Sequence, residues 1–284
     1  MAGETKISSL VTVAAYVDAN IAPVLRDNNV MMGIVYTTPF ENGSEAKKLK
    51  HKAGQTAAVV AEAVAATVAE YVQTAGNTLT QKKVVVLNEP SQEAFKFGAF
   101  QLEELVQEQG MAISDKIDID TLALFAGFSN SVGTTTVDLT INQLSEAAYK
   151  VRLAKAPGPI VYVLHPTQVF DIQAHIISSA APVWSNPSMI ELLNSQPKPN
   201  HFRGSIFGID VYDSNNCATA NAGADVVGAC LNAALALAMG TAGGTDTIID
   251  PMTATKRTQN VSSAFYFDVK ERLDGAGCKI VTDA

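Results

Sequence analysis

The chain has 284 residues, 47% of them hydrophobic, which is enough to bury a large core and argues against intrinsic disorder. Its formal net charge of −8 argues against a dedicated nucleic-acid binder, because such proteins carry clusters of basic residues. The three cysteines are odd in number and contain no C-x-x-C pair, which indicates a reducing compartment without a disulfide framework. No signal sequence follows Met1 and no apolar run reaches membrane-span length, so we expect a soluble cytoplasmic protein.

The first 40 residues are predicted to be an N-terminal arm. Apolar residues between Val11 and Val24 recur with helical spacing and predict a short amphipathic helix. Residues 31–36 are mostly apolar and predict a strand, which Pro39 stops.

Residues 41–80 contain two contrasting stretches. The basic cluster from Lys47 to Lys52 alternates with smaller and apolar residues, as in an exposed strand, and is usually a solvated face. Residues 56–72 are rich in alanine and valine. The four-residue spacing of their valines favours a helix, whereas the many valines and threonines favour strands. Residues 78–87 predict a strand that leads into the next element.

A long helix is predicted from Ser91 to Phe128, and the rest of the chain is organised around it. Ser91 serves as the N-cap, and Gly127 with the polar run after it ends the helix. Gly110 lies inside the pattern and predicts a bend or a break. The apolar face comprises Leu102, Val106, Ile113, Ile117, Leu124 and Phe128, and the polar face includes Glu104, Gln107, Glu108, Asp115, Lys116 and Asp118.

Helices and strands share the remaining residues. Helices are predicted at 139–153 and 166–177 and strands at 160–164 and 205–212, while residues 229–239 fit either class. Residues 246–282 alternate enough for three strands, with Asp274 and Gly275 as a hairpin turn. Strands at both ends with helices between them indicate the α+β class.

Candidate catalytic groups are few. The sequence contains no G-x-S-x-G elbow, no Walker loop and no G-x-G-x-x-G motif. The best cluster is His165, Asp171 and His175, because the last two share a helix face and the first ends the preceding strand; three such groups can bind zinc. The simpler interpretation is that His165 ends a strand and that Asp171 and His175 are exposed residues of a helix.

We therefore predict no catalytic, cofactor-binding or metal-binding residues and no cofactor. A large core without a site is typical of a protein that functions by assembly.

The order of these features resembles that of the major capsid proteins of tailed bacteriophages. Their Hong Kong ninety-seven-type fold is shared with herpesvirus capsids and encapsulins, and the resemblance extends over most of the chain. Similar segments match the family's extended loop (58–62 and 78–84), spine helix (91–128), entry to the axial domain (163–166), following strand and turn (208–215) and ending (233–238 and 279–284).

The resemblance implies an α+β capsid fold with defined domains. These are an N-terminal arm (1–40), an extended loop (41–80), a peripheral domain (81–154 and 246–284) with the spine helix at about 91–128, and an axial domain (155–245). In this family the extended loop is a two-stranded arm that reaches over a neighbouring subunit, which favours strands over a helix at residues 56–72. Lys47 to Lys52 are then expected to meet acidic groups of a neighbour.

The resemblance also implies a structural function and no enzymatic activity. The expected role is that of a coat protein that assembles as pentamers and hexamers into an icosahedral shell around phage double-stranded DNA. The expected partners are copies of the chain itself, scaffolding, portal and decoration proteins, and DNA contacted only non-specifically, without a membrane. The expected location is the virion, assembled in the cytoplasm of a host bacterium. One alternative is an encapsulin-like shell that holds a cargo protein, and another is a metal-dependent enzyme that uses His165, Asp171 and His175.

Overall fold

The computed structural model describes residues 14–21, 23–24, 29–40, 46–52, 73–89, 102–155, 158–178, 201–250 and 260–284. Its helices are α1 (residues 14–21 and 23–24), α2 (Leu102–Leu122), α3 (Ile141–Leu153) and α4 (Pro166–Ser178), with short 3-10 helices at Met31–Gly33, Ala123–Gly127, Asn221–Gly223 and Asp274–Ala276. The strands of the first half are β1 (Tyr36–Pro39), β2 (Ala46–Lys52), β3 (Gln73–Thr80), β4 (Lys82–Asn88) and β5 (Ser131–Gly133). The later strands are β6 (Ile160–Leu164), β7 (Phe202–Ile206), β8 (Ile209–Asp213), β9 (Ala218–Ala220), β10 (Asp225–Asn232), β11 (Leu237–Thr241), β12 (Asp246–Ile249), β13 (Val261–Glu271) and β14 (Gly277–Asp283).

The larger sheet has seven strands in the order β5-β14-β10-β6-β8-β7, with β9 paired to β10. It is mixed, because β6 runs parallel to β8 and β5 runs parallel to β14, whereas β10 is antiparallel to both of its main neighbours. Every residue of β10 is buried, as expected for a central strand covered on both faces. One face of this sheet packs against α3 and α4, which contribute side chains such as Leu144 and Ile172. The other face contributes Val163 and Leu231 to the core cluster that also contains α2.

The smaller sheet has five strands arranged around the long strand β13. Strands β11 and β12 pair with successive halves of β13, β4 pairs with it as well, and β1 extends the sheet in parallel with β11. Its inner face carries Phe265, Phe267 and Val269, which pack in the same core cluster as α2. Strands β2 and β3 form a separate antiparallel ribbon, irregular between Lys48 and Lys50.

The predicted long helix is confirmed where the structure describes it. Val106, Ile113, Ile117 and Phe128 are buried, as the apolar spacing predicted. The α-helix ends at Leu122 and tightens into the 3-10 turn Ala123–Gly127, while residues 91–101 lie outside the described residues. Asp118 was assigned to the polar face, and this is wrong, because its side chain is buried against the residues that precede β1.

Gly110 does not break α2, because the helix runs through it without interruption. A Cβ atom at this position would lie 2.8 Å from Cγ1 of Val24. Gly110 therefore allows α1 to pack closely on α2, and Val17 and Ile21 of α1 are fully buried.

The amphipathic helix predicted between Val11 and Val24 is confirmed at the residues that the structure describes, 14–21 and 23–24.

Four sequence predictions need correction. Residues 31–36 begin with a 3-10 turn, and the strand starts only at Tyr36 and includes Pro39. Residues 205–212 form a hairpin and not one strand, since Phe207 and Gly208 adopt positive φ angles of 54° and 72° and reverse the chain. Residues 78–87 belong to two strands, β3 and β4, which have different partners.

The last correction concerns the turn at Asp274. Three strands do follow residue 246, but Asp274–Ala276 is a 3-10 connection between the two sheets and not a hairpin turn. Residues 229–239, which fitted helix or strand, contribute to strands β10 and β11 in different sheets. The helix at 139–153, the strand at 160–164 and the helix at 166–177 are confirmed. Residues 56–72 and 182–199 lie outside the described residues.

Candidate functional site

The ribbon formed by β2 and β3 packs on the smaller sheet through an apolar cluster, which we call the ribbon base. Leu49 and Leu79 from the two ribbon strands are buried together with Phe40 and Ala238 of the sheet region. Gly240 makes room for this contact, because a Cβ atom there would lie 2.6 Å from the Phe40 ring. The ribbon base is therefore packed on its own subunit.

A buried carboxylate fixes the chain where β3 passes into β4. Oδ2 of Asp268 accepts a hydrogen bond from the Thr80 amide at 2.8 Å, and Oδ1 lies 3.1 Å from Nζ of Lys82. Asp268 is 1% exposed, and Lys82 keeps its charge at the surface while it reaches this carboxylate. Removing one partner of such a contact leaves an uncompensated buried charge, so the junction is held in one geometry.

Two further contacts hold the ribbon base to neighbouring strands of the same subunit. Nζ of Lys47 donates to Oγ1 of Thr38 at 2.8 Å and to the carbonyl of Pro39 at 3.1 Å. Nδ2 of Asn77 donates to the carbonyl of Glu271 at 2.8 Å. The expectation that the whole basic cluster faces a neighbouring subunit therefore does not hold for Lys47.

Hydrogen bonds link α1 to the smaller sheet and the smaller sheet to α2. Oδ1 of Asp18 accepts from Oγ1 of Thr247 at 2.6 Å, and that hydroxyl lies 2.8 Å from Oγ of Ser263. Ser263 donates to Oε1 of Gln109 at 2.7 Å, and Nε2 of Gln109 donates to the carbonyl of Val261 at 3.2 Å. The arm helix is thus fastened to its own subunit by a buried polar network.

Asp118 of α2 forms the second attachment of the arm. Its two carboxylate oxygens accept hydrogen bonds from the backbone amides of Val30 and Met31, each at 3.1 Å. Burial raises the pKa of Asp118 to about 6, and this effect outweighs the two amide hydrogen bonds and the nearby His201, which lower the pKa. The carboxylate satisfies amides at the start of the 3-10 turn Met31–Gly33.

His165 and Asp171 make hydrogen bonds within the fold, and His175 lies in the last turn of α4. Asp171 and His175 are half-buried, whereas the simpler interpretation expected both to be exposed. His165 directly precedes α4 as its N-cap, and its Nδ1 lies 3.3 Å from the Thr167 amide and 2.8 Å from the Thr167 hydroxyl. Burial lowers the pKa of His165, against opposing effects of Asn215 and Asp213. Oδ2 of Asp171 accepts from the Leu139 amide at 3.3 Å, and burial raises the pKa of Asp171. Within the described ranges, no group of three His, Cys, Asp or Glu side chains is arranged to hold a metal ion.

Sequence reasoning missed Asp118 and Asp268. Both lie between large apolar residues, Ile117 and Ile119 in one case and Phe267 and Val269 in the other. A carboxylate inside an apolar run is the available signal, because such a group is rarely buried unless it is paired. The partners themselves lie far away in the sequence, so no local pattern identifies them.

None of the described helices has the length and apolar character needed to cross a membrane.

No family model matches the sequence, and no curated protein matches it. Solved structures do match. The capsid of the cyanophage P-SCSP1u aligns with a TM-score of 0.65 at 9% identity, over 88% of this chain and 86% of that one. The mature capsid of bacteriophage PhiM1 aligns with a TM-score of 0.62 at 10% identity, over 90% and 87%. The SrpI encapsulin of Synechococcus elongatus aligns with a TM-score of 0.58 at 12% identity, over 89% and 86%. The chain therefore has the α+β fold of tailed-phage major capsid proteins, as the sequence resemblance predicted.

Proposed function

We propose that this chain is the major capsid protein of a tailed bacteriophage, which assembles as pentamers and hexamers into an icosahedral shell around double-stranded DNA. The observation that carries the proposal is the structural match to phage capsid subunits over nearly the whole length of both chains. Such extensive coverage leaves little of the chain for a separate activity, and we assign the protein a structural role and not an enzymatic one.

The packed base of the ribbon supports this proposal. The base is fastened by Leu49, Leu79 and the Asp268 contacts, and residues 53–72 connect its two strands along the chain. An isolated two-stranded ribbon is marginally stable in water, so a fixed base suits an arm that is completed by another subunit. We assign residues 41–80 to such an intersubunit arm.

The predicted domain division stays a proposal. We assign α2 and the smaller sheet to the peripheral domain, and the larger sheet with α3 and α4 to the axial domain. Four elements depart from the predicted boundaries. Strand β11, inside the range 155–245, pairs in the smaller sheet. Strand β5 and helix α3, inside the range 81–154, and strand β14, inside the range 246–284, belong with the larger sheet.

The proposed partners follow from the shell. We propose self-association, scaffolding, portal and decoration proteins, and non-specific contact with packaged DNA, with assembly in the cytoplasm of the host bacterium and final location in the virion. The net charge of −8 suits a wall that does not hold DNA tightly, because tight binding requires many basic contacts to phosphate.

An encapsulin-like shell is the second candidate, and the match to the SrpI encapsulin favours it. Both candidates predict closed shells, so the contents of the particle must separate them. A phage capsid encloses nuclease-protected DNA when isolated from its native source. A cargo shell instead encloses a second protein and little DNA.

The first test is negative-stain electron microscopy of the purified protein, with analytical ultracentrifugation beside it. We expect closed shells or rings of five and six subunits, with or without a co-expressed scaffolding protein. A monomer or dimer that stays small at high concentration and with scaffolding protein present would contradict the proposal.

A second test removes the outer part of the ribbon. Residues 53–72 are replaced by a short Asn-Gly turn, which joins Lys52 to Gln73 with a loop suited to a tight hairpin. We expect the subunit to fold with nearly unchanged thermal stability, because the packed base is retained, but to lose closed shells. Normal shells formed by this variant would show that the ribbon is not an intersubunit arm.

A third test reverses the charges of Lys48 and Lys50, which are the ribbon lysines proposed to meet acidic groups of a neighbour. We expect Lys48→Glu with Lys50→Glu to reduce shell yield at low salt. The matched control reverses two exposed charges at the end of α3, Arg152→Glu with Lys155→Glu, and therefore has the same net charge. Equal shell yields for both variants would refute a specific role of the ribbon lysines.

A further inference from the structure

Two buried cysteines lie directly opposite each other in the larger sheet. Cys230 of β10 and Cys278 of β14 are register partners in an antiparallel pair, although they are far apart in the sequence. In the same ladder the Ala284 amide donates to the carbonyl of Ala224 at 2.9 Å. Because hydrogen-bonded pairs recur at every second position, Cys230 and Cys278 also form such a pair, with Cα atoms about 5.5 Å apart. Both side chains project from the same face of the sheet.

The surroundings of the two thiols are apolar. Both residues are fully buried under α3 in one core cluster, and Tyr162 is the register partner of Cys230 on its other side. Both cysteines are free thiols. The third cysteine, Cys217, is also a free buried thiol but belongs to the other core cluster. The fold therefore selects one pair out of three cysteines that the sequence spacing does not distinguish.

We propose that Cys230 and Cys278 are a redox-sensitive modification site, which a peroxide converts into a reversible disulfide that joins β10 to β14. A Cα separation of about 5.5 Å lies within the range that disulfides occupy, whereas the Cβ atoms of a hydrogen-bonded pair must approach by about 1 Å, so the bond forms with a local shift of the two strands. The site stands independently of the proposed function.

The reaction balances with hydrogen peroxide as the only oxidant. One thiolate attacks the O–O bond, which breaks to give a sulfenic acid and hydroxide. The second thiol then displaces the sulfenic oxygen, which leaves as water while the S–S bond forms. In sum, two thiols and one peroxide give one disulfide and two waters, and the two electrons pass from sulfur to oxygen.

Both sulfurs lie in the buried core, so an oxidant reaches them only when the sheet opens locally. The pairing of β10 with β14 ends at Leu231 and Gly277, one position beyond the two cysteines, and these flanking residues are buried as well. Because buried strands open with a free energy close to that of global unfolding, we expect the oxidation to be slow and to accelerate under mildly destabilising conditions.

Cys278 is the thiol that reacts first. Burial raises its pKa to about 11, while Lys150 and Lys279 oppose this effect and Glu146 adds to it. Burial raises the pKa of Cys230 further, with smaller effects of Cys278 and Arg152. Since only the thiolate attacks peroxide, the rate should rise about tenfold per pH unit between pH 7 and pH 9.

The test treats the purified full-length protein with hydrogen peroxide at pH 7, 8 and 9, quenches with acid and alkylates the remaining thiols under denaturing conditions. Peptide mapping by mass spectrometry should find a linked Cys230–Cys278 peptide that dithiothreitol removes. Oxidation should also raise the melting temperature by about 5 °C or more, because the link closes a long loop.

Three variants complete the test. Cys217→Ala should form the same linked peptide at the same rate, whereas Cys230→Ala and Cys278→Ala should lose both the link and the rise in melting temperature. The mapping of the unmodified chain decides the matter even when a variant fails to fold. Thiols that stay free, thiols that reach sulfinic acid without a link, or a link that contains Cys217 would each overturn the proposal.

Discussion

The regions on the two sides of the larger sheet share apolar packing but differ in the buried groups that join distant segments. Under α3 and α4, side chains such as Leu144 and Val151 pack close to one another. The buried groups that cross this region include the neutral Gln168, which donates to the Ile280 carbonyl and to Oγ1 of Thr282. The region around α2 also has a large apolar cluster, but buried polar groups position the elements there. Asp118, Gln109 and Asp268 each join segments that are distant in the sequence.

This difference shows how one chain combines a stable domain with attached arms. Apolar packing under α3 and α4 is non-directional and sums over many contacts, so it makes a robust core. Hydrogen bonds to buried carboxylates are directional and are costly to leave unmade, so they specify where α1 and the ribbon attach. Substitutions in the two regions should therefore differ in size, in pH dependence and in the segment that is released.

The largest effect is expected in the apolar region. Leu144→Ala should reduce the free energy of unfolding by about 2–5 kcal/mol, because Leu144 is fully buried and its loss leaves a cavity. Chemical denaturation measures this value. Ser145→Ala, at the exposed neighbouring position, is the control and should change the value by less than about 0.5 kcal/mol. Equal effects of the two variants would contradict the proposed packing.

The Asp118 attachment should depend on pH. Its pKa is raised from 3.8 to about 6, so the folded state favours the protonated form more than the unfolded state does. The contribution of Asp118 to stability is therefore fully present below pH 4 and declines as the pH rises to about 6, by about 3 kcal/mol.

The observable is the stability of the wild type minus that of Asp118→Asn, measured by denaturation between pH 4 and pH 8. The subtraction cancels the titration of other carboxylates, which is common to both proteins. We expect the difference to fall between pH 4 and 6 and to be flat above pH 7. A difference that rises with pH would show that the amide hydrogen bonds outweigh the burial of the charge.

A pair of adjacent serines sharpens the comparison within one strand. Ser263→Ala should cost about 1–3 kcal/mol, because it removes the donor to the buried Oε1 of Gln109. Ser262→Ala should cost less than about 0.5 kcal/mol, because its hydroxyl makes only a long, exposed contact with the Ile248 carbonyl at 3.4 Å. Hydrogen exchange should also show faster opening of the contact between α2 and β13 in the first variant alone.

The smallest effect is expected at His165. His165→Ala should cost about 1 kcal/mol by removing the N-cap of α4, whereas His165→Asn should retain the cap. Metal analysis of the purified wild type and both variants should find the same content, and shell formation should persist. One metal ion per chain in the wild type that is absent from both variants would instead support the metal-dependent enzyme with His165, Asp171 and His175.

Much of the fold was predictable because local patterns carried it. Helix α3, strand β6 and helix α4 follow from apolar spacing and from Pro166 at the first turn. Strands β7 and β8 were predicted as one strand, because the mostly apolar run 205–212 conceals the reversal at Phe207 and Gly208. The connection before β14 was predicted as a hairpin, because an apolar run does not say which sheet it joins. The proposed function rests on the resemblance of the whole chain and not on any group of reactive residues.

The sequence by itself determined those elements whose spacing and end signals act within a few positions of each other. It determined the long helix, the buried strand Ile160–Leu164 and the α+β class in this way. Only the tertiary structure decided which side chains meet across long separations. It paired Asp118 with Val30, Asp268 with Thr80 and Cys230 with Cys278. Such contacts depend on the register of strands and on burial, which arise when distant segments pack together.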